Sequence, residues 1–298
     1  MKKAFLQLHI AVFLAGFTGI FGVLIRLNEG LLVWYRMLLT AATMWGLFYF
    51  TGRLEKIPAR DKLGLAGLGI LVALHWVCFY GSVKYANVSV ALVCFSAVGF
   101  FTALLEPLLK GKKINGVEML LGLMVMAGIY IIFRFDPRYK TGIILGVTCA
   151  LLLAVTVILL RTFLQRINPE TVLTWQLSGG FLLLSALMPV YLHFFPVTSL
   201  LPGTMDWLWL LLLSWVCSVW AFQLSTRALQ KLTAFTVNLS FNLEPVYGIL
   251  LAFLIFRENT ELGASFFAGL ALIAASLVIH IYMLMREEKR IWRKQTIK

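Results

Sequence analysis

Two charged residues lie inside long apolar runs of this sequence, and their side chains are the first candidates for chemistry. Arg36 lies in LLVWYRMLL, and Glu244 lies in FNLEPVYGILL. A charge at the centre of a membrane costs about 2.5–3.5 kcal/mol on insertion scales, so each of these residues needs a specific role. Arg36 could bind an anion in a solvated cavity, or its side chain could extend to the outer headgroups. A structural ion pair with Glu244 or Glu106 is a third interpretation, and all three stay open.

Glu244 and the following Pro245 indicate a gate or a coupling element. The proline lacks an N–H and clashes with the carbonyl of residue 241, so it breaks or kinks a helix there. A broken helix at membrane depth is tolerated only against protein or a wet cavity. We therefore expect Asn238 and Asn242, just before the break, to contact substrate, and Glu244 with Pro245 to gate transport or carry a coupling proton. The alternative is a buried carboxylate with a purely structural role.

The remaining candidates for substrate contact are aromatic or neutral polar residues within apolar runs. His75 either contacts substrate or is a hydrogen-bonded packing histidine. Aromatic side chains are expected to shape the same cavity: Trp76, Tyr80, Trp175, Trp215 and Trp220. Glu106 lies close to three lysines near the end of its apolar run, which favours an interfacial ion pair.

The sequence lacks the motifs of several kinds of enzyme and metal site. It contains no HExxH, GxSxG or Walker motif and no metal-ligand spacing, and its four cysteines all lie in apolar runs without a CxxC pair. The sequence therefore predicts no enzyme, no cofactor and no metal site. Without a nucleotide site, uphill transport would need a coupling ion such as a proton, or a counter-solute.

The composition requires a membrane. Of 298 residues, 61% are hydrophobic and 13% are charged, and the mean hydropathy is +0.90. A soluble domain carries about 25% charged residues, so a single water-soluble core does not fit this chain. The net charge of +13 has its explanation in basic cytoplasmic loops rather than in nucleic-acid binding, because no long loop or basic stripe is present.

Ten apolar segments are long enough to cross a bilayer, which takes about 20 residues each. They are residues 6–25, 31–50, 63–83, 88–109, 116–134, 141–160, 171–192, 206–226, 233–255 and 262–285. With the N-terminus inside, the cytoplasmic segments hold 19 Lys and Arg and the outer loops 6, which favours cytoplasmic termini. The basic run 286–298 is expected to be a solvated cytoplasmic tail.

A weak internal repeat divides the chain into residues 1–138 and 139–285. At a shift of 140 residues, Asn28 aligns with Asn168 and Arg36 with Gln176, and at a shift of 147 Gly122 aligns with Gly269. Gln176 is therefore expected to supply the second polar contact to a substrate. Five spans per half would insert the two copies in opposite directions, as in many secondary transporters.

The chain resembles the EamA type of the drug/metabolite transporter superfamily. The resemblance rests on the arginine in LLVWYRMLLTA and on NLSFNLEPVYGILLAFLIFRENTELGASFFAGLALIAASLVI, where Pro245, Glu258 and Gly269 match the pattern of the family. The first half departs from it, with Val98 or Gly99 in place of the proline and Lys112 in place of the glutamate. The resemblance implies a bundle around a central cavity, alternating access, and export of metabolites or amino acids.

These observations predict an all-α integral membrane protein of ten helices, arranged as two inverted five-helix repeats around a central cavity. The expected function is secondary-active export of a small metabolite or amino-acid-like solute across a bacterial inner membrane, with lipids as the surroundings. An intramembrane enzyme acting on lipid, or a receptor or scaffold without transport, are the alternatives. The oligomeric state, the substrate and the coupling ion are not encoded in a readable pattern.

Overall fold

The structure, a computed structural model, describes residues 2–111, 113–229, 240–241 and 243–296. The described residues fold into α-helices joined by short connections, without a β-strand. In chain order the helices are α1 Lys2–Leu24, α2 Glu29–Phe50, α3 Ala59–Tyr85, α4 Val88–Phe95, α5 Val98–Lys110, α6 Gly116–Phe135, α7 Lys140–Leu164, α8 Pro169–Phe194, α9 Thr204–Leu211, α10 Ala221–Leu229, α11 Glu244–Phe256 and α12 Ala264–Thr296. A π-helix at Leu212–Trp220 joins α9 to α10.

Nine helical stretches of the described chain are long and apolar enough to cross a membrane, with α4–α5 and α9–α10 each counted once. They correspond to nine of the ten predicted segments. The predicted segment 233–255 lies partly outside the described residues, and α11 is a shorter apolar helix there. The predicted basic tail at 286–298 continues α12 as a helix to Thr296. The predicted all-helical membrane fold is confirmed.

Asparagine caps set where several helices begin. The side chains of Asn28, Asn87, Asn115 and Asn168 each accept a hydrogen bond from a backbone N–H in the first turn of α2, α4, α6 and α8. Such caps satisfy donors that a helix cannot satisfy within itself. Asn28 and Asn168, which align in the sequence repeat, therefore play the same part in α2 and α8.

The bundle has two faces, named here by the connections 51–58 and 195–203, and polar contacts between a helix and a connection hold each of them. At the 51–58 face, Asp61 accepts two hydrogen bonds from Arg166, at 2.6 and 2.7 Å, and these bonds raise the pKa of Arg166. At the 195–203 face, the N–H of Arg26 donates to Asp206 at 2.9 Å, and Lys84 donates to the carbonyl of Ile25 at 3.2 Å. The predicted topology places the 51–58 face in the cytoplasm.

The fourth predicted span is interrupted although it lacks the expected proline. The chain leaves the helix at Ser96 and Ala97, immediately before Val98. The hydroxyl and the N–H of Ser96 both donate to the carbonyl of Leu92, each at 3.3 Å. The N–H of Ala97 donates to the carbonyl of Cys94, three residues earlier, at 3.0 Å, so a tighter turn interrupts the α-helical pattern there. In the second half, α11 begins at Glu244 with Pro245 in its first turn.

Helices α3 and α8 meet backbone to backbone. A Cβ on Gly69 would lie 2.0 Å from the carbonyl oxygen of Gln176 and 2.4 Å from the N of Gly180. Small residues permit such close approach of membrane helices. This contact fixes α3 against α8 in the interior of the bundle.

Candidate functional site

Arg36 is the centre of a buried polar cluster between α2, α3 and the π-helix. Its side chain is 4% exposed. Nη1 donates to the phenol oxygen of Tyr80 at 2.7 Å, and Nε and Nη2 donate to the hydroxyl of Ser218 at 3.3 and 3.0 Å. The guanidinium carbon lies 3.8 Å from the ring centroid of Trp76, a cation–π contact. Arg36, Trp76 and Tyr80, three predicted site residues, therefore come together.

Each member of this cluster is positioned by regular backbone geometry. Trp76 and Tyr80 are four residues apart on α3, so they lie on one side of that helix. Ser214 and Ser218 face α2 from the π-helix, where Ser214 donates to the carbonyl of Arg36 at 3.4 Å. The hydroxyl of Ser218 donates to the carbonyl of Leu213, five residues earlier, at 3.1 Å. Short π-helical segments inside longer helices are frequent at functional sites.

The two serines were not among the residues expected from the sequence. The available signal was their spacing of four residues in the otherwise apolar, tryptophan-containing run LLSWVCSVW. Serine is common in membrane helices, because its small side chain lets neighbouring helices pack closely. Only the contact with a buried arginine separates Ser214 and Ser218 from ordinary packing residues.

The guanidinium of Arg36 has no carboxylate partner within the part of the chain that the structure describes. Its acceptors are the neutral oxygens of Tyr80 and Ser218, which occupy three of its five N–H groups. A buried charge is expected to be paired, so an anion is the kind of partner that this guanidinium lacks among the described residues. The placement fits the anion-binding interpretation of Arg36 and does not fit extension to the headgroups.

Glu106 and His75 are held by partners of their own. Glu106 lies 3.4 Å from the ammonium of Lys110 and 3.4 Å from a guanidinium nitrogen of Arg161, which confirms the predicted interfacial pairing. His75 is buried, and its Nδ1 lies 3.0 Å from the carbonyl oxygen and 3.1 Å from the Sγ of Cys149 on α7. This contact holds one ring nitrogen, and the predicted contact of His75 with substrate stays a prediction.

The predicted gate is described in part. Glu244 is the first residue of α11. Among the described residues no hydrogen bond or ion pair holds its carboxyl group. Asn238 and Asn242 lie outside the described residues. The roles of Glu244, Pro245 and the two asparagines stay predictions.

The other predicted contacts lie apart from Arg36. Trp175 packs edge-on against Trp45 at 5.4 Å. Trp215 and Trp220 are 49% and 50% exposed, and Nε1 of Trp215 donates to the hydroxyl of Thr43 at 3.0 Å. Gln176 is 2% exposed, and its amide nitrogen finds no hydrogen-bond partner among the described groups. Their roles in substrate binding stay predictions.

Two cavities lie at the two faces of the bundle. One of about 510 Å³ opens at the 51–58 face, between the end of α2, the start of α8 and α10. The other, of about 520 Å³, lies at the other face beside Lys84 and Glu258. Within the described chain, no three His, Cys, Asp or Glu side chains group as metal ligands.

Comparison with known proteins gives a consistent result. The model of the EamA-like transporter family matches the chain twice, over residues 2–134 and 140–280. A stretch of 167 residues is 26% identical to an "Uncharacterized transporter" of Haemophilus influenzae, and covers 53% of this chain and 54% of that relative. The alignment therefore spans about half the length of the curated relative. A solved structure described as "Crystal structure of protein" has the same fold, with a TM-score of 0.62 at 19% identity over 96% of this chain and 99% of that one.

Proposed function

The chain belongs to the EamA-like transporter family and is a multi-pass membrane transporter, and from this premise we propose that it exports a small anionic or amphipathic metabolite by alternating access. The predicted resemblance to this family is confirmed. The proposed setting is a bacterial inner membrane, with both termini in the cytoplasm. Export would be driven by a coupling ion or a counter-solute.

One observation carries the proposal for the substrate. The buried guanidinium of Arg36 is bonded to Tyr80 and Ser218 and stacked on Trp76, and no carboxylate from the described chain neutralises it. A carboxylate can accept two parallel N–H bonds from a guanidinium, so an anionic group on the substrate is the natural partner. The ring of Trp76 provides an apolar surface beside it, which suits an amphipathic solute.

The proposed mechanism rests on two inverted five-helix repeats, residues 1–138 and 139–285, that rock about the site. The double match to one family model supports this division. Helix pairing supports it as well, because α1 packs on α10 as α7 packs on α3, and α11 packs on α1 as α4 packs on α7. When the two halves are exchanged, the contact of α1 with α10 becomes the contact of α7 with α3, and the contact of α1 with α11 becomes the contact of α7 with α4. Opposed repeats of this kind alternate access by moving against each other.

Glu244 and Pro245 are proposed as the gate or the coupling element. The carboxyl group lies at the start of α11, directly before the proline. An intramembrane carboxyl group without a bonded partner in the described chain is suited to carry a proton. A Glu244→Gln protein that transports normally under every pH gradient would contradict this role.

The test of the function compares metabolites in cells and in spent medium. Cells would carry wild-type protein, Arg36→Ala, Arg134→Ala or empty vector, at matched membrane abundance. Arg134 is the control because it is an exposed arginine at the end of α6. We expect the same solutes to move into the medium with wild type and Arg134→Ala, and to stay inside with Arg36→Ala. Identical profiles for wild type and empty vector would contradict export, and normal export by Arg36→Ala would contradict the binding role.

A further inference from the structure

The cavity at the 51–58 face lies at the ends of helices that also build the Arg36 cluster. Its wall contains Gly52 and Arg53 just beyond α2, and Gln223 and Arg227 on α10. Arg36 lies on the same α2, and Ser218 lies on the π-helix that continues into α10. The cavity therefore lies at the ends of two of the helical segments that hold the cluster.

The cavity wall holds two arginines and two glutamates, and among the described residues Arg53 and Glu170 pair with each other, whereas Arg227 and Glu55 have no ion-pair partner. Arg53 lies 3.7 Å from Glu170, and Glu55 accepts a hydrogen bond of 3.2 Å from the N–H of Asn168. Arg227 is exposed and forms no hydrogen bond or ion pair with any described residue. Of the two arginines in the wall, Arg227 is thus the one whose charge is available to a solute.

Polar side chains continue from the cavity toward Arg36. Ser218 and Arg227 are nine residues apart, which is about 13.5 Å along a helix. On α2, Thr40 follows Arg36 by one turn in the direction of the cavity, and its buried hydroxyl has no hydrogen-bond partner among the described groups. Thr43 lies one turn further on. A buried hydroxyl without a partner is costly unless something binds it, which fits a path used by a polar solute.

We propose that this cavity is the intake vestibule for anionic solutes and that Arg227 captures them before they reach Arg36. The inference rests on the proposed function, because it assigns the first binding step of the same transport cycle. A single unpaired cation near a wet opening raises the local concentration of anions and lowers that of cations. For a unit charge in contact with a solute in water, the effect on occupancy is about fivefold.

A thiol placed in the wall measures this capture without any knowledge of the substrate. Gln223→Cys would be treated with an anionic reagent, sulfonatoethyl methanethiosulfonate, and with a cationic one, trimethylammonioethyl methanethiosulfonate. The intact mass reports each reaction, and the chain without the added cysteine gives the background of the four native thiols, three of which are buried. The quantity of interest is the ratio of the anionic to the cationic rate constant.

We expect Arg227→Gln to lower this ratio about 25-fold, because the two reagents each respond about fivefold in opposite directions, and Arg227→Lys to keep it. The matched control is the double variant Arg53→Gln with Glu170→Gln, which removes an arginine from the same wall together with its partner and leaves the net charge unchanged. The control should keep the ratio. An unchanged ratio in Arg227→Gln, or an equal fall in the control, would overturn the proposal.

The intake role has its own readout. For a solute that wild type exports and Arg36→Ala does not, Arg227→Gln should raise the KM about fivefold with an unchanged kcat. A lowered thiol ratio with a normal KM would overturn the intake role. A lowered ratio in a protein that exports nothing would overturn the proposed function and leave anion capture by Arg227 standing, so the two failures are distinguishable.

Discussion

The phenol oxygen of Tyr80 accepts a hydrogen bond of 2.7 Å from Nη1 of Arg36, and both side chains are buried between α2 and α3. This bond fixes one edge of the guanidinium, while the ring of Trp76 fixes its plane at 3.8 Å. A planar, charged group held on two sides has few orientations left to it. An anion would therefore meet N–H donors that are already arranged for it, which lowers the cost of binding.

Replacing Tyr80 with phenylalanine should impair transport and spare folding. A hydrogen bond to a charged group contributes about 1.5–3 kcal/mol, so loss of the hydroxyl should lower the rate of export about tenfold or more. The ring keeps its shape and its packing. Initial export rates at matched abundance would measure the effect. Tyr130→Phe, at an exposed tyrosine of α6, is the control, and an equal loss in both variants would refute a specific role for the Tyr80 hydroxyl.

Ser218→Ala should have a comparable effect, because the hydroxyl of Ser218 accepts from both Nε and Nη2 of Arg36. Removal of that oxygen leaves two N–H groups of a buried cation unpaired, and the guanidinium then loses its fixed orientation. We expect export to fall about tenfold. Ser225→Ala is the matched control, since the hydroxyl of Ser225 bonds only to its own helix, at the carbonyl of Ala221. Normal export by Ser218→Ala would show that Tyr80 and Trp76 suffice to orient Arg36.

The sequence predicts the spans and the central arginine well, for a physical reason. Apolar length is a direct requirement of the bilayer, and a charge inside such a run stands out against its surroundings. Arg36 was identified in this way. The same reasoning fixes which segments cross.

The partners of Arg36 were harder to predict, because a membrane helix is apolar on every side. Periodicity then does not tell which side faces the bundle. Trp215 and Trp220, which are expected to line the cavity, are both half-exposed, and their role stays a prediction. Ser218 faces Arg36 from a π-helix, whose hydrogen bonds span five residues. The apolar run around Ser218 carries no sequence signal for such a helix.

Gly69→Ala should destabilise the bundle, whereas Gly67→Ala on the same helix should not. The added methyl group at Gly69 would lie 2.0 Å from the carbonyl oxygen of Gln176, a backbone atom that cannot rotate away, so α3 and α8 must separate. Overpacking of this kind typically costs 1–3 kcal/mol, and about 3 kcal/mol or more is expected here. At Gly67 the methyl group meets nothing within 4 Å, and the helix should gain about 0.5–1 kcal/mol.

Thermal unfolding in detergent, followed by the amount of monodisperse protein, would measure both glycine variants. The expected order of stability is Gly67→Ala at or above wild type, and Gly69→Ala well below it. Equal stability of the two variants would mean that α3 and α8 can move apart at little cost. Such a result would contradict the close backbone contact at Gly69.

Glu258 should stabilise the start of α4 from the opposite half of the chain. Its buried carboxylate accepts from the N–H of Val88 at 3.0 Å, from the N–H of Ser89 at 2.8 Å and from the hydroxyl of Ser89 at 2.5 Å. Substitution by alanine leaves these donors without a partner, and each buried unpaired group costs about 1–3 kcal/mol. We expect Glu258→Ala to lower the Tm by about 5 °C or more.

Glu261→Ala provides the control for this prediction, because Glu261 lies in the same connection, is exposed, and its side chain forms no hydrogen bond or ion pair with any described residue. Its Tm should match that of wild type. Glu258→Gln should fall between the two, since the amide keeps one acceptor oxygen and loses the charge that favours a helix N-terminus. If Glu258→Ala and Glu261→Ala unfolded at the same temperature, the bond from the second half of the chain to α4 would contribute nothing to stability, and α4 would be held by its apolar packing and by the Asn87 cap alone.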